Sequence, residues 1–334
     1  MRQQLDALCA GSFMVDIVAT HLPNITPPGG LIYAPNGISI NIGGHAANVS
    51  IDLAQLGQKS VTAAGCIGND MLGGYIQRTL KISGVEPSPQ ILDEIPTAKN
   101  ISLTVEGEDR RFIAELAANT LLSPDHIINL LKKQPRIFFL GTIGGLKYVD
   151  KTLPLILQSA RDCHTTTLVD VIPPIEPNWD HLTQALSFID IIHLNRNEAY
   201  LITGISDPKK AVIALRSLGA NTIVITSASK GLTALRGETM INMPAFKVNE
   251  VDSTGAGDAL CAGLIHNLLT LKNPNKSTLD EFQYALLEGQ AAGAACVTSS
   301  GATTNVKTEN IRLLLNEQGD TVLTLSTKSI INID

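Results

Sequence analysis

Hydrophobic residues along the chain alternate between short continuous runs and longer runs with helical spacing. Continuous apolar runs are typical of parallel strands that are covered on both faces. The short runs are Leu5–Gly11, Val61–Cys66, Arg136–Gly141, Thr167–Val171, Ile189–Leu194 and Thr222–Thr226. Between two of them, Ala46, Val49, Leu53 and Leu56 follow helical spacing, and Gly57 is a helix stop. The pattern predicts a doubly wound α/β fold with a mostly parallel central sheet and helices on both faces.

Two regions interrupt this alternation. Residues 16–42 are rich in Pro, Gly and Asn, with β-like pieces at Leu31–Tyr33 and Ile38–Ile42. Residues 98–118 contain a hairpin pattern formed by Ile101–Val105 and Arg111–Leu116. We expect one domain over residues 1–334, with both regions forming a small β-sheet lid over a substrate. The alternative is two ordinary excursions at the edge of the sheet.

Composition narrows the class of protein. The chain has 334 residues, of which 44% are hydrophobic, so it can bury a sizeable core. Its net charge is -6 and Lys and Arg form no stripe, which argues against nucleic acid as a partner. No signal-peptide pattern and no uncharged apolar stretch of about 18 residues occur, so we expect a cytoplasmic protein without a membrane partner. Five scattered cysteines without metal-binding spacing fit reduced, buried thiols.

The segment Asp252–Asp258, with the sequence DSTGAGD, carries the strongest chemical signal. It follows the strand-like run Met240–Val248 and opens an apolar helical run, so its small residues lie where a helix begins. Backbone N–H groups and the helix dipole make such a start an anion site. A carboxylate would repel an anion there, so simple anion binding does not explain Asp258. Its position makes sense if it takes a proton from a hydroxyl that attacks a bound phosphoryl group. The motif therefore predicts phosphoryl transfer.

Substrate contacts are predicted on the amino-terminal side of the chain. Gly43 and Gly44 precede a helix and allow close backbone approach to a ligand, and the Asn48 amide could contact a polyol. Asp16 follows the first strand, where ligands of doubly wound sheets bind. The alternatives are a glycine turn with a solvated Asn48 and a turn-capping Asp16. His45 is interpreted as shaping the pocket, and the other six histidines have no Ser, Asp or metal partners at useful spacing.

Two further segments follow predicted strands. Asn195 and Glu198 could order Mg²⁺ through its waters, or could form a capping box at a helix start. The loop Thr226–Gly231 could line a nucleotide, or could be a hairpin turn into Leu232–Leu235.

Three polar residues lie next to the hairpin pattern. Arg110, Arg111 and Asn119 could reach a carboxylate or phosphate on a substrate, or could lie on a solvated strand face.

The blocks Gly43-Gly44-x-x-x-Asn48 and Asp252–Asp258 resemble the signature regions of the ribokinase-like (PfkB) carbohydrate kinase family. The resemblance covers almost the whole chain in matching order. It also includes Gly11-Ser12-x-x-x-Asp16, Gly65–Asp70, Asn195-x-x-Glu198 and Ala291–Ala294. It implies an ATP-dependent phosphotransferase acting on a hydroxyl of a small sugar or sugar-like substrate. A nucleoside kinase of the same family and a non-catalytic sugar- or nucleotide-binding regulator are the alternatives.

The resemblance also implies roles for individual residues and a homodimer formed through the lid. Asp258 would be the base, beside an anion hole formed by the N–H groups of Gly255, Ala256 and Gly257. The substrate would contact Asp16, Gly43, Gly44 and Asn48. ATP would contact Asn195, Thr226, Ser229, Gly231 and Gln290. Cations would lie at Glu198 (Mg²⁺, through water) and, in many members, at Asp252 and Thr254 together with residues 299–301 (a monovalent cation such as K⁺).

This sequence departs from the family pattern at three positions. Ala228 stands where glycine is usual, Gln290 stands where asparagine is common, and Ser253 is a mild variation in the second motif, outside the anion hole. None of these departures touches Asp258.

Overall fold

A computed structural model describes residues 4–108, 111–175 and 178–331. In these ranges the strands are β1 (Ala7–Ala10), β2 (Met14–Leu22), β3 (Ile38–Gly43), β4 (Val61–Ala64), β5 (Cys66–Gly68), β6 (Glu86–Pro87), β7 (Gln90–Leu92), β8 (Lys99–Val105), β9 (Arg111–Glu115), β10 (Ile137–Ile143), β11 (Thr166–Val171), β12 (Ile191–Asn195), β13 (Thr222–Thr226), β14 (Leu232–Arg236), β15 (Thr239–Met243) and β16 (Thr327–Ile330). The α-helices are α1 (His45–Gln55), α2 (Met71–Ile82), α3 (Pro124–Leu131), α4 (Lys147–Lys151), α5 (Leu153–Asp162), α6 (Asp180–Ala185), α7 (Arg196–Thr203), α8 (Pro208–Ser217), α9 (Ala256–Thr270), α10 (Leu279–Cys296), α11 (Thr308–Leu314) and α12 (Asp320–Leu325). A π-helical turn at Leu315–Gly319 joins the last two, and short 3₁₀ turns lie at Ala117–Leu121, Leu186–Phe188, Ala228–Lys230 and Pro274–Lys276.

The central sheet confirms the predicted α/β fold. Its ten strands have the order β16-β15-β14-β13-β12-β11-β10-β1-β4-β6. Neighbouring strands pair in parallel along β13-β12-β11-β10-β1-β4-β6. They pair antiparallel along β13-β14-β15-β16. Buried apolar clusters lie on both faces, as continuous apolar strands require. The carboxyl ends of the parallel strands therefore meet at one edge, where doubly wound sheets bind ligands.

Local signals fix several element boundaries. Helix α1 stops before Gly57, which has the left-handed φ of +99° that the predicted helix stop requires. The expected single strand Val61–Cys66 is instead β4 and β5, separated by Gly65. A Cβ at Gly65 would lie 2.6 Å from the Phe13 ring, so the chain bends where that ring packs.

A separate four-stranded sheet, with the order β3-β2-β8-β9, confirms the predicted small sheet. We call it the lid sheet, and its role as a lid stays a prediction. The hairpin of β8 and β9 was expected, and residue 110 lies outside the described residues. Strand β2 was not expected, because Asp16 and His21 interrupt its apolar pattern. Leu31–Tyr33 is not a strand, which corrects the sequence interpretation. It lies in a segment with backbone turns at Pro27 and Ala34, and two of its side chains are exposed.

Asn119 anchors the base of this lid sheet. Its side chain accepts a hydrogen bond from the Phe13 backbone N–H at 3.0 Å and donates one to the Phe13 carbonyl at 2.9 Å. Asn119 is 1% exposed, so it is neither a ligand for a substrate anion nor part of a solvated face. Both interpretations of Asn119 are wrong. Arg111 is exposed and pairs with Glu108, as a solvated strand face predicts.

We expect Asn119→Ala to lower the free energy of unfolding by about 2–4 kcal/mol, because it leaves two buried backbone groups of Phe13 without partners. Chemical denaturation measures this change. The exposed Asn129 provides a control, since Asn129→Ala removes only a surface contact with Lys132. Equal effects of the two substitutions would contradict the anchoring role.

Candidate functional site

Asp258 occupies the start of α9, as predicted from the motif. The preceding Gly255 has a left-handed φ of +82°, and a Cβ there would lie 2.5 Å from the Ala302 Cβ. Only glycine fits such a position without strain or a clash. The Ala256 N–H donates a long 3.3 Å hydrogen bond to the Ser253 carbonyl, so the loop turns tightly into the helix. The Ala256 N–H is therefore already bonded within the loop, and the anion-hole role of the Gly255, Ala256 and Gly257 N–H groups stays a prediction.

Asn48 holds the Asp258 carboxylate from the neighbouring helix α1. Its Nδ2 donates to Asp258 Oδ2 at 2.8 Å, and both residues are buried. Asp258 Oδ1 and Asn48 Oδ1 are buried and have no hydrogen-bond partner among the described residues. Burial raises the pKa of Asp258, and nearby Asp170 adds to this, while His45 and Asn48 oppose it. A raised pKa suits a carboxylate that accepts a proton near neutral pH. The interpretation of Asn48 as a solvated residue is wrong.

Asp16 and the glycine pair lie where the lid sheet meets α1. Asp16 belongs to strand β2 rather than to a turn, and its Oδ1 accepts a 3.2 Å hydrogen bond from Asn100 Nδ2. A Cβ at Gly43 would lie 2.1 Å from Asp16 Oδ2, so this glycine makes room for the carboxylate. Gly44 has φ +92°, and a Cβ there would lie 2.4 Å from the Ser12 carbonyl oxygen. The turn-capping interpretation of Asp16 is therefore wrong.

A buried carboxylate with two histidines lies beside Asp258. Asp170 Oδ1 accepts from His193 Nδ1 at 3.0 Å, and Asp170 Oδ2 lies 3.3 Å from His45 Nδ1. His45 Nδ1 also lies 3.7 Å from Asp258 Oδ1. His193 Nε2 is 3.3 Å from Thr226 Oγ1. The expectation that no histidine other than His45 has a useful partner is wrong, because sheet pairing places Asp170 directly opposite His193.

The charges of this cluster stabilise one another. Burial alone would raise the pKa of Asp170, but His193 and His45 hold it well below its usual range. Burial alone would lower the pKa of each histidine, but the surrounding carboxylates raise both. Asp170 and His193 are polar residues near the carboxyl ends of otherwise apolar buried strands. A polar residue near the end of a buried strand is the same pattern that pointed to Asp16 and Asn195.

Asn195 and Glu198 form the capping box of α7. Asn195 Oδ1 accepts from the Glu198 N–H at 2.9 Å, and Glu198 accepts from the Asn195 backbone N–H and Nδ2, each at 2.7 Å. Burial and Asp170 raise the pKa of Glu198 to about 7, against the opposing effect of the Asn195 N–H. The capping interpretation is confirmed, and the Mg²⁺ and ATP roles stay predictions. Asn195 lies opposite Thr226 in the parallel pair β12–β13.

The loop after Thr226 is a hairpin turn, as one interpretation predicted. It contains the 3₁₀ turn Ala228–Lys230 and leads into β14, which runs antiparallel to β13. Ala228 has a left-handed φ of +48°, a conformation that favours glycine. Ala228, which stands where the family usually has glycine, therefore adopts a backbone conformation that is strained for a residue with a side chain. Ser229 is exposed on the loop, and its contact with ATP stays a prediction.

Gly231 and Gln290 contact the same backbone segment from two sides. A Cβ at Gly231 would lie 2.0 Å from the Met243 carbonyl oxygen, so only glycine fits. Gln290 Nε2 donates to the Pro244 carbonyl at 3.1 Å. Its Nε2 also donates to the Met243 carbonyl at 3.4 Å, so both amide hydrogens are used, and the predicted adenine contact of Gln290 would use its carbonyl oxygen.

Asp252 shapes the loop before α9. Its Oδ1 accepts from the Thr254 N–H at 2.9 Å and from Thr254 Oγ1 at 2.7 Å. Its Oδ2 accepts a 3.4 Å hydrogen bond from the Gly301 N–H. These bonds bring together the two loops that the resemblance assigns to a monovalent cation.

Comparison with known proteins places this geometry in a family. The model of the pfkB family carbohydrate kinases matches residues 4–309. The chain therefore belongs to the pfkB family of carbohydrate kinases, which are phosphotransferases acting on hydroxyl groups.

Named relatives and a solved structure agree with this assignment. The chain is 27% identical to a ribokinase of Haemophilus influenzae, over 92% of this chain and 96% of that protein. It is 28% identical to an aminoimidazole riboside kinase of Salmonella typhimurium, over 78% and 83% of the two chains. The Arabidopsis thaliana ribokinase complexed with ribose and ATP superimposes with a TM-score of 0.79 at 20% identity, covering 94% of this chain and 99% of that one. Within the described ranges, every helix is too short or too polar to cross a bilayer.

Asp52, one helical turn after Asn48, is a buried acid that sequence inspection did not single out. It is fully buried, and neither carboxyl oxygen has a hydrogen-bond partner in the described part of the chain. Burial and nearby Asp258 raise its pKa well above the usual value. The folded state therefore keeps a proton that the unfolded state loses, and stability falls as pH rises above the pKa of the unfolded state.

We expect Asp52→Asn to be more stable than the wild type at pH 8, with a smaller advantage at pH 5. The difference in free energy of unfolding between the variant and the wild type should grow by about 1.4 kcal/mol per pH unit, as long as Asp52 is ionised only in the unfolded state. Urea denaturation at several pH values measures it, with the exposed Asp125→Asn as the control. A gap that does not change with pH would show that Asp52 is ionised in the folded protein.

Proposed function

We propose that this chain transfers the γ-phosphoryl group of ATP to a hydroxyl of a small sugar or riboside. The observation that carries the proposal is the buried Asp258 Oδ1 at the start of α9, on a carboxylate that Asn48 holds in place. This oxygen has no hydrogen-bond partner among the described residues and lies 3.7 Å from His45 Nδ1. This oxygen is available to accept the proton of an attacking hydroxyl, which contributes about 10²–10⁴ to the rate in such reactions. The first-turn amides of α9 stabilise charge on the transferring phosphoryl group.

Two side chains would hold the acceptor. Asp16 retains one oxygen beside Gly43, and Asn48 retains an unpartnered Oδ1. Hydrogen-bond acceptors in this number suit neighbouring hydroxyls of a sugar ring. The relatives named as ribokinase, aminoimidazole riboside kinase and fructokinase support a small sugar or a riboside as the acceptor. A free sugar and a nucleoside therefore remain the two acceptor classes.

The donor side suits ATP with Mg²⁺. Asn195 and Thr226 lie side by side at the carboxyl ends of β12 and β13, next to the Ser229 loop, Gly231 and Gln290. Both carboxyl oxygens of Glu198 already accept hydrogen bonds from Asn195, so each has one lone pair left. That donor set fits Mg²⁺ held through water, in keeping with the tight hydration of this ion. Mg²⁺ would neutralise phosphate charge there.

A monovalent cation such as K⁺ would lie between the Asp252–Thr254 loop and residues 299–301. Support comes from the Asp252–Gly301 hydrogen bond that joins the two loops, and from Ser299 Oγ, which is buried without a partner among the described residues. The cation would fix the loop that leads into the anion hole.

We expect Asp258→Asn to lower kcat by about 10²–10⁴-fold while ATP still binds, because the amide keeps the shape but accepts no proton. Coupled ATP-consumption assays with a panel of sugars and nucleosides measure kcat, and calorimetry measures ATP binding. The control is Asp190→Asn, which changes a carboxylate bonded to Thr167 at the opposite edge of the sheet. Near wild-type turnover of Asp258→Asn would refute its role as base. Wild-type protein that consumes no ATP with any acceptor would favour the regulator instead.

We further propose a homodimer formed through the lid sheet. Ile40, Ile17, Ile101 and Ile113 pair directly across its four strands, so they form one row on one face. Ile40 and Ile113 are 55% and 63% exposed. An exposed apolar row on a small sheet suits burial against a second copy. The row that contains Asp16 and Asn100 points to the other face, toward the site.

We expect the double substitution Ile40→Lys with Ile113→Lys to yield a monomer, because charge on this row opposes burial. Sedimentation velocity at micromolar concentration measures the mass. The matched control is Leu155→Lys, an exposed leucine of α5 on the main body. A monomeric wild type would contradict the dimer.

A further inference from the structure

Asp170 contacts imidazoles from two different elements. It lies near the carboxyl end of β11 and is 3% exposed. One oxygen accepts from His193 of β12 at 3.0 Å, and the other lies 3.3 Å from His45 of α1. An ionised carboxylate only accepts hydrogen bonds, so His193 Nδ1 carries a hydrogen. One buried anion thus faces two imidazole rings: it hydrogen-bonds to His193 and lies within ion-pair distance of His45, whose Nδ1 makes no hydrogen bond among the described residues.

The His45 ring points toward the acceptor half of the site. Its Nδ1 lies 3.7 Å from Asp258 Oδ1, the oxygen that has no hydrogen-bond partner in the described ranges. His45 is the first residue of α1, directly after the Gly43–Gly44 pair. A substrate hydroxyl bound at Asp258 would therefore lie next to this ring.

The His193 ring supports the donor half of the site. Its Cε1 lies 3.3 Å from where a Cβ at Gly257 would be, so the ring packs directly beneath the predicted anion hole. Its Nε2 lies 3.3 Å from Thr226 Oγ1, at the end of β13. Moving this ring would disturb both the anion hole and the predicted nucleotide loop.

We propose that Asp170 is a positioning residue for phosphoryl transfer, which holds His45 beside the Asp258 carboxylate and His193 beneath the anion hole. This inference rests on the proposed kinase function. Asp170 acts through the two rings and does not itself touch the reacting atoms.

The charges explain why such a residue is useful. Phosphoryl transfer brings negative phosphate oxygens toward the negative Asp258, and an imidazolium between them reduces the repulsion. The groups that face His45 are Asp170 from β11, Asp258 from α9, and Glu198 from α7, all acidic. They raise the pKa of His45 despite its burial. Without the Asp170 charge, nothing on β11 would hold either ring in place.

The first test compares Asp170→Asn with Asp190→Asn by steady-state kinetics, using the best acceptor of the wild type. We expect Asp170→Asn to lower kcat by about 10–100-fold, since a small displacement of positioned groups has effects of this size. The KM values for ATP and acceptor should stay within about threefold. Asp190→Asn should retain wild-type kcat. An unchanged kcat, or a rise in KM alone, would overturn the proposal.

The second test asks whether Asp170 acts through His45. In a His45→Gln background, Asp170→Asn should lower kcat by a smaller factor than in the wild type, because the part of its effect that acts through His45 is already lost and only the part through His193 remains. Fully multiplicative losses would refute the connection. If Asp170→Asn does not fold, His45→Gln tests whether the ring beside Asp258 contributes to turnover. His45 is partly exposed, so this variant should fold, and it should lower kcat at constant KM.

Proton NMR of the imidazole N–H groups provides a measurement that does not depend on turnover. The wild type and Asp190→Asn should show downfield Nδ1–H resonances, and Asp170→Asn should lose them. Their retention would show that Asp170 does not hold the rings. Wild-type protein that phosphorylates no acceptor would overturn the kinase proposal, whereas wild-type turnover with unchanged kcat in Asp170→Asn would overturn the positioning role alone.

Discussion

The burial of several acids at one edge of the sheet is the constraint around which the site is organised. Asp170, Asp258 and Glu198 are each at least 94% buried, and like charges at close range raise each other's free energy in a poorly solvated interior. The fold compensates with two imidazoles, the Asn48 amide and the capping amides of α7. The compensating groups come from α1 (His45 and Asn48) and from β12 (His193 and Asn195), whereas the acids lie on β11, α9 and α7. The site is therefore stable only when the strands and helices are packed together.

Sequence patterns predicted what lies close together along the chain. The apolar runs gave the parallel strands, because strands buried on both faces need continuous apolar residues. The motif at Asp258 located the start of α9 and the carboxylate in its first turn, since all its parts lie within seven residues. Asn48 was also found, although its contact with Asp258 spans 210 positions.

The missed features arise from pairing across long separations. Asp170 and His193 meet only because β11 and β12 are adjacent and in register. Asn119 reaches the Phe13 backbone across 106 positions, and its conspicuous position beside a hairpin suggested a ligand instead. Strand β2 was hidden because a lid strand with one face toward the site carries polar residues that resemble a loop. Polar residues that face a site thus interrupt the apolar pattern by which a strand is recognised in the sequence.

The anchoring of Phe13 by Asn119 has a consequence for the lid sheet if that sheet closes over the site. Phe13 immediately precedes β2, and its backbone is fixed by Asn119 on both its N–H and its carbonyl. Two hydrogen bonds at this point oppose rotation about a flexible joint. Any opening would then come from bending and twisting of β2 farther along the strand. The displacement is then smallest near Asp16, three residues from the fixed end, and largest at the distal tip. An acceptor would meet a nearly stationary carboxylate while the outer part of the sheet moves to admit it.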